Sequence, residues 1–376
     1  MSLDFQLQFE RRNLLKRIDW NFVVIIIVLN FVGLINLYSA THGPLSVQVE
    51  SLFRNQIIWL LVGWSVFFIV SFFNYQMLSK LALVIYFINL GAILFVTIAG
   101  DIALGAQRWI DFGFFKYQPS ETMKLCMIIV LAKFLARYSP EGPGMGLREL
   151  SIPLLLMGVP FVLVVEQPDL GTALMIAAIS GSMIFFMKIR RWILAAVVTL
   201  AAIAVPVMWS YVLRDYQKNR VLNFINPGKD PRGTGYNSIQ SRIAVGSGQW
   251  IGKGFRKGTQ SQLEFLPERH TDFIYSVLSE EHGFVGSVLT LILFSLLFTM
   301  ILRISSTSRD KFGALLSMGV LAYIFWHMFV NIGMVIGLLP IVGVPLPLLS
   351  YGGSSMLTTM AGLGIVSSVA YRRYIF

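Results

Sequence analysis

Nine consecutive residues, from Glu264 to Asp272, bring together Glu264, Glu268, Arg269, His270 and Asp272 in the stretch LEFLPERHTDF. A carboxylate in such company can serve as a lone general base, while neighbouring cations neutralise an anionic ligand. If a helix started at Asp272, Asp272, Ser276 and Glu280 would share one face. Asp272 and Glu280 would then stand about 12 Å apart along the axis. That exceeds the separation of about 5 Å used by paired carboxylates in retaining glycosidases. Asp272 also suits a helix cap. Position 275 is Tyr275, so a capping box is absent. Both readings, base and cap, stand at this level.

Other groups with chemical potential lie elsewhere. Arg108 beside Trp109 could hold a phosphate next to an apolar group, or could be a solvated loop arginine. Lys116 follows, then Pro119, Glu121 and Lys124. Pro119 fits the first turn of a helix. Glu121 and Lys124 could form an i,i+3 pair, or Lys124 could snorkel outward or face an anionic ligand. In QPDLGT, Gln167 to Thr172, Asp169 fits a cap for the following helix. His327 and Asn331, one turn apart in an apolar run, suit interhelical hydrogen bonds. GLLPIVGVPLPLLSYGGSS, residues 337–355, cannot be a regular helix, so its backbone must be buried in protein or line a cavity. Its end supplies Ser350, Gly352 and Gly353 as candidate substrate contacts.

What positions these groups is a membrane scaffold. Hydrophobic residues make up 56% of the chain and charged residues 13%, against about 25% charged in soluble domains. The single cysteine, Cys126, excludes an intramolecular disulfide and a cysteine metal cluster. Apolar stretches at 20–41, 56–74, 80–100, 119–138, 149–166, 169–188, 192–213, 273–303, 312–338 and 354–371 each approach the roughly 20 residues that cross a bilayer as a helix. The expected fold is an all-α polytopic bundle of about ten transmembrane helices, with a long loop at 214–272 and a re-entrant segment at 337–355. A basic N-terminal segment, 1–19, precedes the transmembrane domain 20–371, and a short tail, 372–376, follows it. Lys and Arg gather at Arg11, Arg12, Lys16 and Arg17, at Lys188 to Arg191 and at Arg372 and Arg373, whereas the short loops opposite hold Arg54, Arg108 and Lys116. The positive-inside pattern then puts both termini in the cytoplasm and 214–272 outside. The net charge of +11 is better explained this way than by nucleic acid. Segment 214–272 carries ten basic and five acidic residues, an excess that suits an acidic substrate such as a pyrophosphate. Within it, NSIQSRIAVGSG could form a short helix ending in glycine.

GAQRW, QPSE followed by Lys124, QPDLGT, FLPERHTDFIYSVLSEE and NIGMVIGLLPIVGVPLPLLSYGGSS occur in one order across about 20–370. In this the chain resembles the SEDS family (shape, elongation, division, sporulation), and most resembles its elongation branch. The division branch typically carries alanine where Arg269 precedes His-Thr-Asp. His282 stands where many members have leucine. The resemblance implies a peptidoglycan glycosyltransferase in the bacterial inner membrane, polymerising lipid II into β-1,4 glycan on the extracytoplasmic face to maintain rod shape. It implies Asp272 as the catalytic aspartate and dependence on a divalent cation, Mg²⁺ or Mn²⁺, with Asp272 a candidate ligand. It also implies a class B penicillin-binding protein and other elongation-complex membrane proteins as partners. On that reading Arg108, Lys116, Lys124 and Arg269 serve the diphosphates. Glu121 orients Lys124 or joins the metal shell, and His270 is a further candidate contact. A lipid II flippase and a non-enzymatic scaffold for the transpeptidase are the competing functions. A flippase needs a polar path across the bilayer, whereas the ionisable clusters here gather near one face.

Overall fold

The computed structural model describes residues 18–42, 50–99, 101–103, 106–113, 116–138, 144–212, 215–226 and 234–373. The basic residues Arg11 to Arg17 and the extreme C-terminus lie outside the described residues. Helices α1 (Trp20–Thr41), α2 (Glu50–Phe72) and α3 (Tyr75–Ala99) are followed by three short strands, β1 (Asp101–Ala103), β2 (Ala106–Asp111) and β3 (Lys116–Tyr117). Then come α4 (Pro119–Leu135), α5 (Leu147–Glu166), α6 (Leu170–Phe185) and α7 (Arg191–Val207), the last running into a π-helical turn at Met208–Val212. The long loop contains α8 (Asp215–Ile225), α9 (Thr234–Ser247) and the single turn α10 (Thr259–Gln262). The chain closes with α11 (Ile274–Ser306), α12 (Lys311–Val335) and α13 (Gly353–Arg372).

Each expected apolar stretch falls on one of these helices. Among the described residues, seven are long and apolar enough to cross a membrane: α1, α2, α3, α5, α11, α12 and α13. The α6 helix is apolar but shorter. The chain is therefore a multi-pass membrane protein. Helices α4, α12 and α13 form the centre, with Met127, Val130, Leu131, Val320, Ile324, Met360 and Val366 fully buried. Peripheral helices leave Ile58, Leu61, Ile69, Phe87 and Ile88 exposed. In a soluble protein such a surface would aggregate, whereas here it matches hydrocarbon.

Two details depart from the sequence reading. The stretch before α4 is an antiparallel three-stranded meander, pairing Ile102 with Gln107 and Ile110 with Tyr117. It ends with Pro119 at the first position of α4, as expected. The α11 helix begins at Ile274 with Phe273 as its N-cap, and no side chain caps it. Residues 268–273 form turns instead. Asp272 therefore neither caps α11 nor shares its register with Glu280, and the face expected from i, i+4, i+8 spacing does not form. Asp169, in contrast, does cap α6, accepting from Thr172 N at 3.2 Å, and NSIQSRIAVGS lies in α9.

Candidate active site

The irregular segment between α12 and α13 organises the site. Six of its residues, Val344 and Leu346 to Ser350, are buried, so their backbone polar groups need partners inside the protein. Side chains supply them along this stretch. Arg220 Nη1 donates to Val342 O (3.4 Å), Asn331 Nδ2 to Val344 O (2.7 Å) and His327 Nδ1 to Pro345 O (3.3 Å). Ser350 Oγ accepts from Leu346 N (2.8 Å) and donates to Thr271 O (2.7 Å). Tyr351 N donates to His270 O (2.9 Å). The His-Thr-Asp turn is thus stitched to this segment on both sides of Thr271. Asn331 Nδ2 also donates to Asp272 O at 2.8 Å, fixing the aspartate's backbone.

Asp272 directs its carboxylate towards Gly343, where an added Cβ would stand 3.2 Å from Oδ2. Gly343 has φ +77°, a conformation suited to glycine. Next to it, Gly171 of QPDLGT abuts Val342. Asp272 is half-buried. Burial first, and then the negative charges of Glu268 and Asp169, push its pKa up to about 7, against the opposing pull of Arg220. A carboxylate that titrates near neutrality is matched to general-base work.

The candidate cations have different surroundings. Arg108 donates from Nε to Gln167 O (3.1 Å) and from Nη2 to Pro168 O, and Nη1 lies 3.8 Å from Asp169. It clasps the QPD turn while staying partly exposed. Gln118 reaches the same Asp169 (3.2 Å). Lys116 is exposed, 3.7 Å from Asp111. Lys124 is 1% exposed, so it does not snorkel; Nζ donates to Glu121 Oε1 (2.7 Å) and to His327 Nε2 (3.0 Å). That bond and the one to Pro345 O require the neutral imidazole carrying its proton on Nδ1. Glu121 Oε2 is buried without a hydrogen-bond partner among the described groups. Arg269 is buried, with Nε on Ala40 O (2.8 Å) and Nη2 on Glu264 (2.8 Å), which ties the turn to α1. Burial, outweighing the charge of Glu268, holds the His270 pKa below the ordinary imidazole value, so its ring is neutral at pH 7. Gly352 N donates to Gln56 Oε1 (3.3 Å), and Gly353 lies flat against Trp59.

Arg220 is the cation that the sequence reading passed over. It is exposed on α8, donates to Val342 O and, like Asp169, acts by its charge on Asp272. Nothing local distinguishes it from its basic neighbours; only the return of the chain at Val342 does.

The family model for FtsW, RodA and SpoVE, described as "Cell cycle protein", matches residues 19–375. Peptidoglycan glycosyltransferase MrdB of Escherichia coli (strain K12) is 46% identical over 275 residues, which is 73% of this chain and 73% of that protein. Among solved structures, a chain of a peptidoglycan synthase complex that coordinates polymerization and crosslinking is similar with TM-score 0.81 at 29% identity, covering 96% of this chain and 99% of that one. The crystal structure of Thermus thermophilus rod shape determining protein RodA gives TM-score 0.70 at 28% identity, covering 96% and 98%. Motif order, fold and family model agree, and the chain belongs to the FtsW/RodA/SpoVE family, the SEDS proteins.

Proposed function

We infer that the chain is a peptidoglycan glycosyltransferase of the rod-shape type, and that Asp272 is its general base. The observation that carries this reading is the Asp272 carboxylate, held near neutral pKa beside Gly343 and faced by Arg220, in a chain 46% identical to a protein named for that activity.

The substrate proposed is lipid II, a disaccharide-peptide on a polyprenyl diphosphate. Asp272 takes the proton from the acceptor sugar hydroxyl as its oxygen attacks the donor anomeric carbon. The bond from that carbon to the diphosphate breaks, and the electron pair leaves with the phosphate oxygen. A diphosphate leaving group needs charge neutralisation rather than a protonating acid. Arg220, Lys116 and the exposed edge of Arg108 supply positive charge, and an α-linked donor yields a β product by inversion. Arg269 supports this indirectly, by holding the turn that carries Asp272.

Among the described residues, no three His, Cys, Asp or Glu side chains gather into a metal-sized cluster. Mg²⁺, however, is commonly held by one or two carboxylates plus substrate phosphates. Asp272, with Glu268 in its field, fits that smaller donor set, and a bound divalent cation would neutralise diphosphate charge. The site is proposed to open on the extracytoplasmic face with both termini inside, following the distribution of Lys and Arg. A class B penicillin-binding protein is proposed as partner, in line with the synthase complex among the structural relatives.

The function is tested with purified protein in proteoliposomes given labelled lipid II, alone and with the partner. Glycan strands of several disaccharides are the expected product. Lipid II moved between leaflets without strand synthesis would favour a flippase, and neither activity would favour a scaffold. A second expectation concerns Arg220. Removing the one cation among the described residues that opposes the raised pKa of Asp272 moves that pKa higher. Arg220→Ala should therefore shift the acidic limb of the rate–pH profile upward and lower turnover at pH 7, with part of the loss recovered at pH 8. An unchanged limb would mean that Arg220 does not face Asp272 in the working enzyme.

A further inference from the structure

The loop after α9 is built into a break in α11. Gly283 leaves the helical conformation, with φ 63° and ψ −157°. In an unbroken helix the amides of Phe284 and Val285 would bond to the carbonyls of Glu280 and Glu281. Here Phe284 N donates to Gln249 O (2.8 Å) and Val285 N to Trp250 O (3.0 Å). The freed carbonyls of Glu280 and Glu281 accept from Lys253 N and Gly254 N, both at 3.0 Å. Four helical groups are thus satisfied by the loop. The approach is so close that an added Cβ at Gly248, Gly252 or Gly283 would strike backbone atoms of Ser279, Glu281 or Gly252. The Glu280 side chain completes the joint, accepting from Lys253 Nζ (2.8 Å), Gln260 N (2.9 Å) and Ser261 N (3.2 Å).

This joint holds two large apolar side chains outward. Trp250 is 71% exposed and Ile251 81%. The Trp250 ring meets Phe284 edge-on at 5.3 Å between centroids. Below Phe284, Val285, Leu289, Ile292 and Leu296 form an exposed stripe on one face of α11. From Phe284 to Ser306 the helix rises about 34 Å, close to the hydrocarbon thickness of about 30 Å. Trp250 and Ile251 therefore stand at the end of a membrane-length apolar stripe, where tryptophan is favoured between acyl chains and head groups. Exposed Arg256 and Lys257 follow within the same loop, and their charge complements lipid phosphates.

We propose that Trp250 and Ile251 insert into the lipid interface, and that the loop bolted into α11 thereby sets the depth of the Asp272 turn relative to the membrane. The lipid, rather than a protein helix, is favoured because the stripe, the aromatic ring and the cations occur in the order of a bilayer's layers. The coupling to Asp272 follows from connectivity. The joint grips Glu280 and Glu281, in the short helical stretch that starts at Ile274, two residues after Asp272.

The test needs no catalysis. Trp250→Cys and Ile251→Cys are made separately in the full chain carrying Cys126→Ala, labelled with an environment-sensitive fluorophore and placed in nanodiscs of phosphatidylethanolamine and phosphatidylglycerol without any partner. Blue-shifted emission is expected at both positions, with quenching when lipids brominated near the glycerol end of the acyl chain are included. Water-like, unquenched emission from either position in protein that keeps its wild-type melting temperature would overturn the proposal. So would a blue shift that arises only after the penicillin-binding protein is added, which would assign the patch to a protein contact. Should the label at one position lower the melting temperature, the other position decides.

Discussion

Purified Asp272→Asn is expected to fold normally and to make no detectable glycan strands from labelled lipid II. Loss of a general base typically costs about 10²–10⁴ in rate, enough to remove visible product. Folding should survive because the side chain caps nothing: Phe273 is the N-cap of α11, and the tie to Asn331 runs through the Asp272 backbone carbonyl. The pH dependence sharpens the separation. The folded pKa lies above the ordinary carboxylate value of 3.8, at about 7, so folding favours the protonated form. Its contribution to stability is complete below pH 3.8 and is lost as pH rises through 7. The asparagine variant, which never ionises, should melt at least as high as the wild type at pH 8, with the gap closing towards acid. Wild-type turnover should in turn fall about tenfold per pH unit below 7, as the base is protonated. Strand synthesis by Asp272→Asn at the wild-type rate would return Asp272 to a structural role.

Of the ten expected spans, the seven of membrane length were legible because hydrocarbon thickness is read along the chain: about 20 apolar residues cross a bilayer whatever their neighbours are. The proline-rich segment 337–355 was legible for a related reason, since its backbone could not be helical. The network that satisfies it was not. His327 reaches Lys124 across 203 positions, and Asn331 reaches Asp272 across 59, and no local pattern encodes either pairing. Arg269 was read as a phosphate ligand because charge is visible in sequence, whereas Ala40 O and Glu264, which engage it, are brought there by packing. The break at Gly283 escaped notice because one glycine inside an expected helix looks tolerable, and only the returning loop makes it obligatory. Asp272 itself was located by family motif and charge cluster. Its raised pKa and its freedom from a capping bond required the fold.

The second large effect is expected at the buried pair Glu121 and Lys124. Lys124→Met should lower stability by about 3–5 kcal/mol, because it leaves the Glu121 carboxyl buried without its partner and removes the donor from His327 Nε2. Loss of activity in that single variant would therefore say little about substrate. The double variant Glu121→Leu/Lys124→Met separates the two roles, since replacing both members of a buried pair with apolar groups is often neutral or stabilising. If the pair only joins α4 to α12, the double variant should regain both stability and turnover. Two observations favour a role beyond the joint. A buried ion pair is a weak stabiliser, and Glu121 Oε2 is left without a hydrogen-bond partner among the described groups. The expected result is a double variant that melts near the wild type and polymerises lipid II at least tenfold more slowly. The slower rate is expected because the pair holds His327, whose Nδ1 donates to Pro345 O in the segment that faces Asp272. Turnover near the wild-type level in the stable double variant would confine Glu121 and Lys124 to holding the bundle together.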